Sequence, residues 1–581
     1  MLQTAELIKA QCISFLKSNH ISDEDIEKIK FTVDINKDID RGDLYTNFAL
    51  VTAKLFGQNP IVIAINLAEY LNMELDKSIF QKIEAADAYV NFYLVDTFEV
   101  SKDRTVFHPE FTGKKIAYEY TDPNPMKEFH IGHLMNNTIG EAVSRIGEIA
   151  GAEIKRYSYQ GDAGRHLAVT MWGLRFMETP WPDAGDISIT DKVKFLGLAY
   201  VTGNKKLAEA KEKGEDSEEY KTVISEIESM NQKIYDRSDE EVNTLYDLGR
   251  EWSLQKFEEL YEILGTKFDH YFFESVTAPI GLEIVKENLN ATSSIFTKGE
   301  NDAVIFAGEA YGLHTRVFIN AKGLPTYEAK EIGLAQMKYD LWNFDRSIVF
   351  TANEQDQVFK VTNKVISLLM PEIGSKMEHI GHGMLNFVGE KMSSRTGKIL
   401  AGDELLEDMM ATSYEKMKER DMTEDEKKNV SKDIAVAAIK FSILKQNFRK
   451  NIIFDKEKSL SLEGDSGPYI QYAVVRINSI IKKTEGLETV EGGELSHEAM
   501  NLKRTLWRFN HTCYKAIEEF APQYIAQYLI DLSSRFNGFY GKNKIIENDA
   551  VNAELLKLCV ETKEILTGGL TALGIRTVEK M

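Results

Sequence analysis

The sequence predicts a multidomain α/β protein with a small mixed α/β unit, then a parallel-sheet unit, then an all-helical unit. Three observations predict it. Residues 115–159 read strand, loop, helix, strand, the order of a βαβ unit in a parallel sheet. From about residue 425 onward, apolar residues fall almost wholly at helical spacing. A chain of 581 residues is also too long for one hydrophobic core, so roughly two to four domains are expected.

The first unit spans residues 1–105. Leu2, Leu7, Ile8 and the stretch from Ile13 to Leu16 mark a helix, and residues 88–94 read as a strand. A charged, turn-prone stretch at 101–115 separates it from the second unit, residues 106–424. That unit opens on the alternating strand Lys115-Ile116-Ala117-Tyr118-Glu119-Tyr120, followed by a loop with Pro123 and Pro125. Ile139, Val143, Ile146 and Ala150 then recur at spacings of 4, 3 and 4, one face of a helix. Gly151 ends the helix, and 154–159 is the next strand. Residues 203–262, rich in Glu, Lys and Asp with apolar residues at helical spacing, predict a helical insertion at about 180–265. The sheet is expected to resume at 303–306, 316–319 and 347–350. Residues 425–581 form the helical unit, and no internal repeat or low-complexity tract interrupts the chain.

Composition narrows the class. Hydrophobic residues at 43% and charged residues at 28% are ordinary for a soluble globular protein. Cys12, Cys513 and Cys559 lie far apart, which suggests neither a disulfide framework nor a zinc site. The amphipathic start lacks the pattern of a signal peptide, and no run of eighteen apolar residues occurs, so a cytoplasmic protein without a membrane span is expected. The net charge of -21 argues against a nucleic-acid partner, but that sum hides a local excess. Residues 440–483 carry nine lysines and arginines against four acidic residues, a balance of +5, with Tyr469 and Tyr472 among them. Basic residues interleaved with aromatics suit a single-stranded RNA loop with splayed bases, while a helical bundle with a solvated basic face is the plainer reading. Phe536 and Phe539 read as core residues.

The sharpest local feature is His130-Ile131-Gly132-His133, between a predicted strand and a predicted helix. Free backbone N–H groups and the positive dipole end at a helix start favour an anion, and imidazole N–H groups can donate to phosphate oxygens. Gly132 leaves room for a planar base against the backbone. An HxGH match is common by chance, so alone it does not separate a phosphate site from two incidental histidines. Lys391-Met392-Ser393-Ser394-Arg395 lies about 260 residues downstream. A cationic loop can close over a triphosphate and stabilise charge on leaving pyrophosphate. The two together, in this order, are far rarer than either.

This pair resembles the two signatures of class I aminoacyl-tRNA synthetases, and the wider strings resemble arginyl-tRNA synthetases. Asp122-Pro123-Asn124-Pro125-Met126-Lys127 is similar to that family's SPNxxK stretch. Gly161-Asp162-Ala163-Gly164 is similar to its GDWG. Gly323-Leu324-Pro325-Thr326-Tyr327-Glu328-Ala329-Lys330-Glu331 resembles its GxPTYxxxD segment. Gly467-Pro468-Tyr469-Ile470-Gln471-Tyr472 resembles the start of its anticodon-binding domain, and the end from Leu573 to Met581 its terminus. The likeness runs in order from residue 40 to 581. Three positions depart: Ala163 replaces the GDWG aromatic, with Arg165 and His166 next; Glu331 replaces the usual Asp; and Ser394 stands where KMSK-type loops have Lys.

The resemblance implies a Rossmann-like catalytic domain, an N-terminal domain that contacts the tRNA elbow, and an all-α anticodon-binding bundle. It implies that His130, Gly132, His133, Lys127, Lys391, Ser393 and Arg395 serve catalysis, with Lys127 and Lys391 sharing phosphate stabilisation. Met392 joins His130, His133, Lys127 and Lys391 in binding ATP. Glu119, Tyr327, Glu331 and Gln355 are implied for the arginine side chain, and Asn124 for its backbone end. Lone Tyr and Glu residues are more often structural, so for Glu119 and Tyr327 the resemblance supplies the functional reading. Tyr469, Tyr472, Arg476 and Met581 are implied to touch tRNA, as are Asn91 and Tyr93, although Ala86-Asp87-Ala88 replaces that family's flanking glycines. The expected partners are tRNA(Arg), arginine and ATP, with Mg²⁺ accompanying ATP, no protein metal cage, and a monomer. Rival readings are another class I synthetase, an HxGH nucleotidyltransferase of the pantothenate synthetase type, and a non-catalytic tRNA-binding paralogue. The long helical tail counts against the nucleotidyltransferase, and the presence of His130, His133 and Lys391 against the paralogue.

Overall fold

The computed structural model describes residues 2–36, 38–95, 106–179, 181, 187–388, 401–491 and 493–581. By backbone contact the chain divides into two units. One comprises Met1–Val106, Ala473–Glu518 and Gln527–Gly569, the other Phe107–Tyr472, Glu519–Ala526 and Leu570–Met581.

The first unit holds a four-stranded antiparallel sheet, β1 (Val33–Ile35), β2 (Leu44–Thr46), β3 (Phe80–Ala86) and β4 (Tyr89–Leu94), in the order β1-β2-β4-β3. Helices α1 (Leu2–Ser18), α2 (Asp23–Lys28), α3 (Phe48–Phe56) and α4 (Pro60–Glu74) accompany it. Ile8, Leu16, Phe48, Leu67 and Phe92 are buried together, with Trp507 packed against them. Charge ties the same unit: Arg504 pairs with the buried Asp43 at 3.3 Å, Arg508 donates to the Asn36 carbonyl at 3.1 Å, and Lys515 pairs with Asp34. Phe536 and Phe539 are buried, as read from the sequence.

The second unit is built on a five-stranded, wholly parallel sheet. Its strands are β5 (Lys115–Glu119), β6 (Glu153–Gln160), β7 (His270–Phe273), β11 (Arg346–Ala352) and β12 (Met377–His382), in the order β12-β11-β5-β6-β7. Helix α5 (Ile131–Ile149) connects β5 to β6, which pair directly from Lys115↔Glu153 to Glu119↔Tyr157. A side chain at Gly140 of α5 would meet the Tyr120 ring at 2.2 Å, so glycine sets how closely this helix lies on the sheet. The helical insertion is present as α7 (Ile189–Glu212), α8 (Glu218–Asp236) and α9 (Glu240–Leu264), after α6 (Arg165–Gly173). Helices α10 (Glu274–Leu289) and α11 (Tyr327–Leu341) cross where Gly281 and Gly333 replace side chains. A Cβ would sit 1.8 Å from the Ala329 carbonyl at the first and 2.2 Å from the Thr277 carbonyl at the second.

The sheet differs from the expected one in membership. β9 (Val304–Phe306) and β10 (Arg316–Ile319) pair antiparallel with each other, and β8 (Phe296–Lys298) completes a separate three-stranded sheet. The parallel sheet instead takes β7 and β12. A short run of β-branched and aromatic residues marks a strand without marking its sheet, and Met-Glu-His-Ile-Gly-His in β12 lacks the apolar run of a buried parallel strand.

At the far end of α5, Lys440 is wholly buried and donates to the carbonyls of Leu264 at 2.7 Å and Gly574 at 2.9 Å. Among the described residues no single helix is long and apolar enough to cross a membrane, and the three cysteines are buried and free.

Candidate active site

The carboxyl ends of the parallel strands surround a cavity of about 860 Å³, the usual place for a ligand in an open α/β sheet. Glu119 ends β5, and Thr121, Asp122 and Asn124 follow it. Tyr159 and Gly161 come from the end of β6, Glu274 follows β7, Thr351 and Gln355 come from around the end of β11, and His382 ends β12.

The loop after β5 is strained. Thr121, Asp122 and Met126 have φ of 81°, 43° and 60°, conformations that cost roughly 1–3 kcal/mol each and persist where the surroundings enforce them. Thr121 N–H donates to Asn136 Oδ1 at 2.7 Å, Asp122 Oδ1 accepts from Tyr159 N–H at 2.7 Å, and Met126 N–H donates to Ser253 Oγ at 2.8 Å. Asn124 lies over Gly161, where a Cβ would come within 2.0 Å of its Oδ1.

His130 caps α5, and the two imidazoles stack with centroids 3.6 Å apart. Gly132 N–H donates to His130 Nδ1 at 3.1 Å, and His130 N–H donates to His133 Nδ1 at 3.3 Å. Backbone amides can only donate, so each Nδ1 is unprotonated and each neutral ring carries its proton on Nε2. Burial, with Lys127 nearby, holds His130 down to about 4, and His133 lies well below the usual imidazole range for the same reasons and for its nearness to His130. Two neutral N–H donors therefore line the cavity. The Gly132 Cβ direction points at the His130 ring, 2.9 Å away, so this glycine makes room for its neighbour's imidazole where the sequence suggested room for a base. Lys127 rests its ammonium over the Tyr200 ring at 4.9 Å.

The opposite wall is acidic. Lys338 Nζ donates to Glu119 Oε2 at 2.8 Å, and both side chains are buried. Glu331 is buried with Oε1 unpartnered; burial and the neighbouring Glu119 push its carboxyl up to about 8. Burial and Glu119 also hold Asp122 well above the carboxylate range. Tyr327 lines the cavity, while Gln355 sits at the exposed rim. Glu274 is satisfied by Lys330 at 2.8 Å.

Thus Glu119, Asn124, His130, Gly132, His133, Tyr327 and Gln355 line one cavity, and Glu331 is buried one turn along α11 from Tyr327. Lys391, Met392, Ser393 and Arg395 lie outside the described residues. Asn91 is buried and accepts from Asn36 at 3.4 Å, whereas Tyr93 is half-buried and donates to Glu84. Tyr472 and Arg476 are exposed one turn apart on Gly467–Thr484, with Arg476 4.7 Å over the Tyr540 ring; Tyr469 and Met581 are half-exposed. Sequence reasoning missed Asp122, Asn136, Lys338 and His382. Asn136, one turn past His133, donates to the Phe350 carbonyl at 2.6 Å and meets His382 Nε2 at 3.2 Å. Its spacing in His-x-x-Asn was the available signal. Asp162, in the GDAG string, anchors its loop to Ser275 N–H at 2.8 Å and to Arg250 at 3.0 Å.

Comparison with known proteins bears on the same fold. The family model described as tRNA synthetases class I (R), catalytic domain, matches residues 100–456, so the central part of the chain is a class I synthetase catalytic domain. Models for the arginyl tRNA synthetase N terminal domain and the DALR anticodon binding domain match residues 3–94 and 470–581. The chain belongs to the arginyl-tRNA synthetase family, as its motifs implied. The arginine–tRNA ligase of Clostridium acetobutylicum is 28% identical over 582 residues, covering 97% of this chain and 98% of its own. That of Bacteroides thetaiotaomicron is 29% identical over 494 residues, 81% of each chain. The arginyl-tRNA synthetase of Thermus thermophilus shares the fold, with a TM-score of 0.77 at 24% identity over 99% of this chain and 100% of that one.

Proposed function

We propose that this chain ligates arginine to tRNA in two steps. The arginine carboxylate attacks the α-phosphate of ATP, giving arginyl-adenylate as pyrophosphate leaves. The 3'-terminal ribose hydroxyl of tRNA(Arg) then takes the arginyl group, and AMP leaves.

The observation that carries this reading is the cluster of buried carboxyl groups. Glu119, Asp122 and Glu331 gather there with Lys338 as their paired cation, and Glu331 keeps an unpartnered buried oxygen. One more cation would let these raised carboxyls ionise, and a guanidinium brings a fixed charge with five donors in a plane. Glu331 and Glu119 would face it, with Tyr327 and Gln355 adding neutral contacts and Asn124 holding the backbone end. On the other side His130 and His133, neutral with protons on Nε2, would donate to phosphate oxygens as charge develops. They need no proton transfer to do so, and Lys127 adds a full charge. The roles of Lys391, Met392, Ser393 and Arg395 rest on the family motif. Catalysis is then positioning and charge stabilisation without a covalent enzyme intermediate.

Among the described residues no cluster of three His, Cys, Asp or Glu side chains fits a metal ion, so Mg²⁺ accompanying ATP would be held mainly by the nucleotide, and no step here depends on it. The same reading assigns residues 1–105 to the tRNA elbow, 106–424 to catalysis and 425–581 to the anticodon. Tyr469, Tyr472, Arg476 and Met581 then touch tRNA, with Asn91 and Tyr93 at the elbow. It also takes the protein to act as a cytoplasmic monomer.

The test is activation and charging with arginine, citrulline, canavanine and lysine. Arginine is expected to exceed lysine and the neutral isostere citrulline by ~10⁴-fold, because a site built for polar contacts rejects a ligand that cannot make them. His130→Ala and His133→Ala should each slow adenylate formation by ~100–1000-fold, the usual cost of one preorganised donor. Citrulline used as well as arginine would sink the pocket assignment.

A further inference from the structure

We propose that Lys338 is a positioning residue for arginine selection, holding Glu119 by Oε2 so that Oε1 is presented to the guanidinium. This rests on the reading above, in which Glu119 faces the arginine side chain.

The argument starts from placement. Lys338 Nζ lies 2.8 Å from Glu119 Oε2, with side-chain exposures of 0% and 2%. Glu119 lines the cavity and Lys338 does not, so Lys338 reaches a ligand only through Glu119. A buried lysine is a poor filler. An apolar side chain of similar volume is usually as stabilising as a buried ion pair or more so, because two charges must be stripped of water to form the pair. An ion pair placed behind a binding wall therefore acts on the wall.

Helix geometry says how. Tyr327, Glu331 and Lys338 stand at i, i+4 and i+11 of α11, which a period of 3.6 residues brings onto one stripe. The first position of that stripe lines the cavity, and the second is buried one turn along. The third reaches across to β5 and holds the carboxylate of Glu119. One helix thus carries Glu331 and holds Glu119 through Lys338. A glutamate has one more rotatable bond than an aspartate, and both Glu119 and Glu331 are glutamates. Two long carboxylates make a fork for a planar donor set only if each is braced. The Lys338–Glu119 pair ties α11 to the end of β5, and so fixes Glu119 relative to the helix that carries Glu331. A bidentate contact tolerates little misplacement, whereas a lysine ligand, a single point charge, tolerates much. Loosening Glu119 should thus cost arginine more than lysine.

Arginine KM, ATP KM, kcat and melting temperature in tRNA charging are measured for Lys338→Met, Lys338→Arg, Glu119→Gln and the double variant Glu119→Gln/Lys338→Met. Lys338→Met is expected to raise arginine KM by ~10–100-fold, the size of a lost charged hydrogen bond, and to narrow the preference over lysine. ATP KM stays within about twofold, and Lys338→Arg recovers most of the loss, since a guanidinium can hold the same carboxylate. In the Glu119→Gln background Lys338→Met adds nothing, because the group it acts through is already altered. The proposal is overturned if folded Lys338→Met keeps the parent arginine KM, if both KM values rise together, or if Lys338→Met does equal damage with and without Glu119. Should Lys338→Met alone not fold, the neutral double variant against Glu119→Gln makes the same comparison. If Glu119→Gln itself leaves arginine KM unchanged, the pocket reading fails and not only this inference.

Discussion

Glu331 Oε1 is buried without a donor, and burial beside Glu119 pushes the carboxyl up to about 8. Below that pH the group holds a proton in the empty pocket, while a guanidinium binds its ionised form. Arginine binding therefore releases a proton, and arginine KM should fall as pH rises from about 6 to about 8, by at most about tenfold per unit for one proton, then level off. Stability runs the other way. The folded state keeps this proton longer than the unfolded chain, so the empty enzyme loses stability as pH rises from the ordinary carboxyl range, about 4.3, through about 8. Glu331→Gln should flatten both profiles while losing much activity, and Glu331→Asp should keep arginine activity. KM against pH for the three proteins checks this, and a parent profile as flat as that of Glu331→Gln would refute it. At this scale the motif strings made His130, His133, Asn124 and Glu331 legible, since each sits inside one. Lys338 was illegible because its partner Glu119 lies 219 residues away and nothing local marks a lysine as buried.

Helix α11 carries its stripe into place by crossing α10 at Gly281 and Gly333, where backbone meets backbone. A methyl at either position has no room, and the obstacle is a carbonyl, which cannot rotate away as a side-chain tip can. Gly281→Ala and Gly333→Ala should each cost about 1–3 kcal/mol, the range for an overpacked site. They should raise arginine KM too, because the helix that must yield bears Tyr327, Glu331 and Lys338. Thermal melts and charging kinetics read the two effects, and a variant with parent melting temperature and parent KM would show that the crossing has slack. Elements with strong periodicity, such as α5 and the insertion helices, were readable from the sequence. The crossing was not, because glycines inside helical patterns give no hint of which helix approaches them. The membership of β9 and β10 was hidden for the same reason, since sheet partners are set by tertiary packing.

Over the whole molecule, acidity of -21 and RNA binding are reconciled by distribution. Tyr472, 40% exposed, and Arg476 lie in the stretch where basic residues exceed acidic ones. Tyr472→Ala and Arg476→Ala should raise the tRNA KM and leave ATP KM unchanged, with Arg476→Ala also reducing the salt slope of tRNA binding by ~1 if it meets a phosphate. Equal damage to ATP binding would mark them as structural. The three-part order of domains was visible as shifts in composition and periodicity. The interleaving of the units was not, since pairs such as Asp34 with Lys515, 481 residues apart, have no sequence signal. That interleaving bears on how the protein is made. Strand β5 opens the catalytic unit early, yet Lys440 is satisfied only when Gly574 arrives from the segment Leu570–Met581. On the ribosome the unit that bears the histidines is completed only after they emerge, because Leu570–Met581 is synthesised hundreds of peptide bonds later. A chain released early would hold nearly every residue named above beside a buried ammonium short of one of its two carbonyls. Quality control would then meet an unsealed body instead of a smaller enzyme.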